Sequence, residues 1–302
     1  MSFFNEEYDF DETPENDNEN LRDQIEECKK LVDDGAVYGY LDLFDEVTQS
    51  CLDNDLIEDG LYLINALLEI APYNSEYWIK KGLFLNSLGY FNESIECFNK
   101  ALSLNPGDSD ALVDRSIAEE NIGLFNQAKE SLFHALSNDP NNEDALYSLG
   151  ILHLRNDEFQ EAIKYLNNVL ELNSEYSEAY YELGYCYESL ENYPEALNSY
   201  EKFLELDPYN PNGWYNRGVI LSKMNKYEQA INSYDLAVSI KENFTSAYFN
   251  KGNILAELQR YPEALESFRK AYELDSSDET TCFNIGNLYE ELGDLKNAVR
   301  FY

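Results

Sequence analysis

The chain has 302 residues, of which 59 are acidic and 21 basic, so it carries a net charge of −38 with 44% apolar residues. Such a surface repels phosphate backbones and anionic bilayers, so neither nucleic acid nor membrane is an expected partner. The start, MSFFNEEYDF, lacks the basic and apolar regions of a secretion signal, and no long uncharged apolar run follows, so the expected compartment is the cytoplasm.

Residues 1–20 hold eight carboxylates and no basic residue, which predicts a disordered acidic tail carrying Phe3, Phe4, Tyr8 and Phe10. Residues 21–40 read as a capping helix and linker, with Leu21, Ile25, Cys28 and Val32 along one helical stripe. From residue 41 a period of 34 sets in. Alanine recurs at Ala128, Ala162, Ala196, Ala230, Ala264 and Ala298, and glycine at Gly150, Gly184, Gly218, Gly252 and Gly286. Pro72, Pro106, Pro140 and Pro208 lie on the same grid and mark the end of each second helix.

Each period predicts two amphipathic helices packed closely at the small residues. Full units run 41–74, 75–108, 109–142, 143–176, 177–210, 211–244 and 245–278, with a truncated eighth at 279–302. Gly60 stands for alanine in the first, and Ser94 and Ser116 are small replacements elsewhere. Leu132, Leu166, Tyr200, Tyr234 and Phe268 are expected to fill the space between successive units. Asp, Asn, Ser or Thr is expected to cap the first helices, with Asn210-Pro211 the clearest start.

This pattern resembles the tetratricopeptide repeat, most fully in residues 177–210. The resemblance implies an all-α right-handed solenoid of antiparallel helix pairs, and a binding scaffold rather than an enzyme. It also implies a concave groove lined by positions two, five, six, nine, twelve and thirteen of the first helices. Those positions supply the candidate peptide-binding residues. The fifth reads Tyr147, Tyr181, Tyr215, Phe249 and Phe283. The sixth and ninth add Asn216, Asn250 and Asn284, with Tyr185, Asn253 and Asn287. An amide pairs with both groups of a peptide unit, and aromatic rings give apolar pockets beside it. The lysines and arginines with which co-chaperones of this family grip a C-terminal carboxylate are missing. The second position instead holds Glu76, Asp110, Asp144 and Glu178, then Asn212, Ser246 and Thr280.

Nothing predicts catalysis, a metal or a cofactor. Cys28, Cys51, Cys97, Cys186 and Cys282 lie far apart, as do His134 and His153, and no phosphate loop or nucleophile motif occurs. The cysteines are expected to be buried thiols and His153 a core substitution. Lys81, Arg115, Arg217 and Lys251 at position seven are expected to reach carboxylates. The expected function is a scaffold holding an extended, neutral-to-basic segment of a partner protein. The alternatives are a self-assembling architectural protein, associating through an uncapped C-terminal end, or the recruiting arm of a longer enzyme continuing past Tyr302.

Overall fold

The computed structural model describes residues 14–302, with side chains from residue 20 onward. Among them every regular element is helical. The described chain divides into two compact units between residues 148 and 149, the division falling inside one helix.

The first unit opens with α1 (Pro14–Asp33) and a 3₁₀ turn (Val37–Tyr40), followed by α2 (Leu41–Asp53) and α3 (Ile57–Ile70). Helical pairs α4 (Ser75–Ser87) with α5 (Phe91–Leu104), and α6 (Ser109–Asn121) with α7 (Phe125–Asn138), come next. Then α8 (Glu143–Arg155) carries the chain across the division. Of the expected acidic tail, residues 1–13 lie outside the described part, while Pro14 already begins α1. Proline suits a first helical turn because its missing N–H would have no helical acceptor there. Leu21, Ile25 and Cys28 are buried against Phe44, Val47 and Cys51 of α2 and Leu63, Ile64 and Leu67 of α3.

Gly60 departs from alanine for a visible reason: a Cβ there would overlap the fully buried Phe84 ring. Ser94, the second departure, donates from Oγ to the Gly82 carbonyl at 2.9 Å and so ties α5 to α4.

The second unit contains α9 (Phe159–Leu172), then pairs α10 (Ser177–Ser189) with α11 (Tyr193–Leu206) and α12 (Pro211–Lys223) with α13 (Tyr227–Ile240). The pair α14 (Thr245–Glu257) with α15 (Tyr261–Leu274) follows, then α16 (Glu279–Glu291) with α17 (Leu295–Phe301). The periodic glycines set the approach within each pair. A Cβ at Gly184 or Gly218 would stand 2.6 to 2.9 Å from the nearest atoms of Tyr200 or Tyr234, well inside van der Waals contact. The large residues four beyond each alanine therefore fill the space inside their own helix pair, rather than only between pairs as the periodicity predicted. Burying a ring such as Phe268 contributes about 1.5–3 kcal/mol.

Helix starts follow the expected chemistry in part. Asn74, Asp108, Asn210 and Asp278 accept hydrogen bonds from helix-start N–H groups. Before α10 and α14, however, the capping position is Tyr176 and Phe244, with no side-chain cap. Ser177 and Thr245 are already helical. Between the two helices of each pair one residue takes a left-handed conformation: Asp55, Gly89 and Gly123 in the first unit, and Asp157, Glu191, Asn225, Gln259 and Gly293 in the second.

Position seven braces neighbouring pairs. Arg217 donates to Glu201 Oε1 at 2.8 Å and to Ser233 Oγ at 2.8 Å, and Lys251 pairs with Asp235. Arg115 reaches Ser131, Asn99 and Glu119. Lys81 breaks the pattern: Asn65 stands where Arg217 has Glu201 and Lys251 has Asp235, as Asn99 does for Arg115. Its ammonium lies over the Trp78 ring, 5.6 Å from the centroid, instead of reaching a carboxylate.

Candidate functional site

The first helices α10, α12, α14 and α16 share a face in the second unit, and hydrogen bonds link neighbours along it. Asn216 Nδ2 donates to Tyr181 Oη at 3.0 Å, and Asn250 Nδ2 donates to Tyr215 Oη at 3.0 Å. Each bond joins position six of one pair to position five of the pair before it, 35 residues back. Where that tyrosine becomes Phe249 the hydroxyl is gone, and Asn284 Nδ2 turns to Asn253 Oδ1 at 3.4 Å. Each bond takes one of the two N–H groups of its amide and restrains how that side chain lies.

Of the position-five rings, Tyr181, Tyr215 and Phe249 are packed rather than open. Tyr181 packs edge-on against Tyr200 and Phe203, at 5.8 and 5.1 Å between centroids. Tyr215 lies against Tyr234 and Phe244, and Phe249 against Phe268. All three are half-buried, and burial pushes the Tyr181 and Tyr215 phenols above their ordinary range, opposed in part by the asparagine donors. The rings that face solvent are Tyr185, 44% exposed, and Phe283, 56% exposed. Asn253 is exposed, and Asn287 Oδ1 accepts from Tyr302 Oη at 2.8 Å. Tyr147 is half-buried on α8 and belongs to the first unit.

Charge brackets the face. Glu182 at position six of α10 is half-buried; burial raises its carboxyl and Arg155 opposes the rise. Glu178 stands about one turn before it, and Glu257 at the end of α14 and Glu290 and Glu291 at the end of α16 add further charge, all exposed.

The first unit uses the same register with other chemistry. Lys80 at position six reaches back 35 residues to Asp45 Oδ1 at 2.8 Å. Asp114, the next position six, finds Ile79 at the corresponding place, which offers no donor. Burial pushes its carboxyl up to about 7, with Asp110, Asp108 and Asp144 adding to the rise. Position-by-position reading missed this five-to-six coupling, although the pairs Asp45–Lys80, Tyr181–Asn216 and Tyr215–Asn250 at one constant spacing were there to find it.

Residues outside this face have structural roles. His153 is buried, stacks on Tyr165 at 5.3 Å and bonds through Nδ1 to Glu158, while His134 is exposed on α7. Burial pushes the thiols of Cys28, Cys51 and Cys97 up to about 11 and that of Cys186 up to about 12, so they stay protonated at neutral pH. Among the described residues no group of three or more His, Cys, Asp or Glu could hold a metal ion, and no helix is long and apolar enough to cross a membrane.

Family models described as tetratricopeptide repeat match residues 75–108, 113–167, 147–211, 199–232 and 252–293, together well over half of the chain. The chain belongs to the tetratricopeptide-repeat family. Its fold class is the all-α tetratricopeptide solenoid, and solved structures agree. MamA aligns over 55% of this chain and 96% of its own, at 25% identity and a TM-score of 0.52. YrrB, described as a TPR protein with an unusual peptide-binding site, aligns over 57% of this chain and 89% of its own, at 27% identity and a TM-score of 0.52. A tetratricopeptide-repeat protein from Parabacteroides merdae covers 93% of this chain and 99% of its own, at 18% identity and a TM-score of 0.54, a likeness of fold alone. No curated protein matches the sequence. A tetratricopeptide solenoid is typically a protein-interaction scaffold, and this chain is one by its architecture.

Proposed function

We propose that the first-helix face of the second unit holds an extended segment of a partner protein. The observation that carries this reading is the pair of bonds from Asn216 to Tyr181 and from Asn250 to Tyr215. They hold two amides in one register before any ligand arrives, which lowers the entropic cost of binding. Tyr185 and Phe283 add exposed rings along the face, and YrrB, a relative in fold, is described as having a peptide-binding site. This reading takes the repeat boundaries as those of the 34-residue period, places the binding surface at positions five, six and nine, and requires no cofactor. The acidic ends of the face favour a neutral-to-basic segment.

The test is capture of partners by the intact chain and by an Asn216→Ala, Asn250→Ala, Asn284→Ala variant of matched helicity and melting temperature. Partners lost from the variant alone support the face as the site. Partners retained by both would sink it.

A second reading is self-association through the last helix pair. What favours it is the exposure of Leu295 (64%), Val299 (75%) and Tyr302 (59%) there. Light scattering distinguishes it: a dimer that Leu295→Glu with Val299→Glu converts to monomer supports it, and a monomer throughout excludes it.

A further inference from the structure

Trp78 and Trp214 hold the same place in α4 and α12, and their surroundings agree in most respects. Each indole N–H donates at 2.9 Å to a proline carbonyl just before its helix, that of Pro72 or Pro208. Each ring has a cation over it, Lys81 at 5.6 Å and Arg217 at 5.7 Å from the centroid. What differs is how the cation is held. Arg217 lies between Glu201 and Ser233, whereas the matching places around Lys81 are Asn65 and Cys97. Asn65 gives its amide N–H to the Leu61 carbonyl at 2.7 Å, and the Cys97 thiol is buried and protonated.

An open cleft of about 570 Å³ lies there, walled by Leu61, Trp78, Leu85 and Cys97 and edged by Lys81 and Lys100. Glu93 and Glu96, both exposed, also line it, yet among the described residues no carboxylate pairs with either lysine. Lys81 is half-buried, and an ammonium drawn partly out of water gains from any carboxylate that reaches it. The cleft therefore suits a group that is apolar at one end and anionic at the other.

The chain carries a segment of that make-up. Residues 1–13, MSFFNEEYDFDET, lie outside the described part and alternate Phe3, Phe4, Tyr8 and Phe10 with five carboxylates. Reach is sufficient. Leu21 of α1 is buried in the same apolar cluster against which Leu61 and Trp78 pack. Pro14 begins the same helix, roughly 10 Å before Leu21. Thirteen extended residues span up to about 43–47 Å. A tether this short gives an effective concentration in the millimolar range, so a contact that is weak between separate molecules still forms within one.

We propose that the acidic, aromatic tail docks in this cleft of its own chain, a phenyl ring entering beside Trp78 and Leu85 and a neighbouring carboxylate meeting Lys81 and Lys100. Ring packing against the indole and a charge-assisted bond to the ammonium hold it. The contact is independent of the function proposed above, which concerns α10 to α16.

Fluorine NMR of the intact chain labelled with fluorotryptophan tests it, because Trp78 and Trp214 give separate signals and Trp214 is the internal control. Trp214→Phe assigns them, and circular dichroism checks that each variant keeps its helicity. Replacing Phe3, Phe4 and Phe10 by serine should move the Trp78 signal and leave that of Trp214 in place. The same tail change made in a Lys81→Gln, Lys100→Gln chain should move it far less, since the cations that hold the carboxylate are gone. Signals that stay put, or that move together, would overturn the proposal. So would an undiminished shift in the lysine variant. A shift that grows with protein concentration would assign the cleft to the tail of a second copy and overturn the contact within one chain.

Discussion

At the scale of single residues, Asp114 is the clearest case of a side chain whose setting works against its ordinary charge. Its folded pKa of about 7 lies above the ordinary carboxyl value of 3.8. Between those two values the folded chain holds a proton that the unfolded chain has released. Stability therefore falls as pH rises from about 4 to about 7 and stays lower above that. Asp114→Asn removes the buried charge. It should raise stability at pH 8 by about 1–2 kcal/mol, allowing for the water that reaches a half-buried carboxylate, and change little at pH 4. Thermal melts of both proteins across this range measure the difference; a gain of equal size at both ends would disprove the assignment.

At the scale of the helix pair, the left-handed turn residue is where local conformation and residue type disagree. Glu191 and Gln259 adopt φ of 58° and 60°, which glycine takes freely and a Cβ makes costly. The turn itself is well bonded: Glu191 N–H donates to the Glu188 carbonyl at 2.9 Å and Asn192 N–H to that of Tyr187 at 2.8 Å. Glu191→Gly and Gln259→Gly should each stabilise by about 0.5–1 kcal/mol, the relief of strain being offset in part by a freer unfolded chain. Urea titration reads this as a higher midpoint with an unchanged slope.

Helix pairs were legible in the sequence because glycine, alanine and proline each meet a constraint inside one 34-residue unit. The strained turns were not, because Asp, Glu, Asn and Gln fill the place as readily as glycine does. The caps of α10 and α14 were misread by one residue because a serine or threonine near a helix start looks like a cap whether it stands before the helix or inside it. The candidate face was legible as a set of positions but not as a mechanism. Position six pairs with position five of the preceding unit, so the partner of Asn250 is Tyr215 rather than its neighbour Phe249. That choice depends on how adjacent helices pack, and no reading confined to one unit contains it. The half-burial of Tyr181 and Tyr215 escaped for a different reason: the rings that cover them, Tyr200 with Phe203 and Tyr234 with Phe244, lie in the same unit but about twenty or more residues along the chain, where only the folding of the pair brings them close.

At the scale of the whole molecule, a net charge of −38 sets the terms for stability and for association. Like charges repel most when the chain is folded, and added salt screens that repulsion as the Debye length falls from about 30 Å at 0.01 M to about 10 Å at 0.1 M. The melting temperature should rise by several degrees across that range, while capture of a basic partner should slow. Circular dichroism melts and stopped-flow association at matched salt concentrations check both. A melting temperature that does not move would mean the carboxylates are already neutralised locally.

The constant 35-residue reach of the inter-helix bonds also governs how such a chain can change its length. Excising residues 211–244 would bring Asn250 to the place of Asn216, facing Tyr181, and Lys251 to the place of Arg217, facing Glu201. Amide would still meet phenol, and cation would still meet carboxylate. Duplicating the same stretch would repeat those pairs in the same order. Recombination in whole 34-residue steps thus meets matched interfaces on both sides of the join, so the number of repeats can drift in a lineage while the rules joining them stay constant.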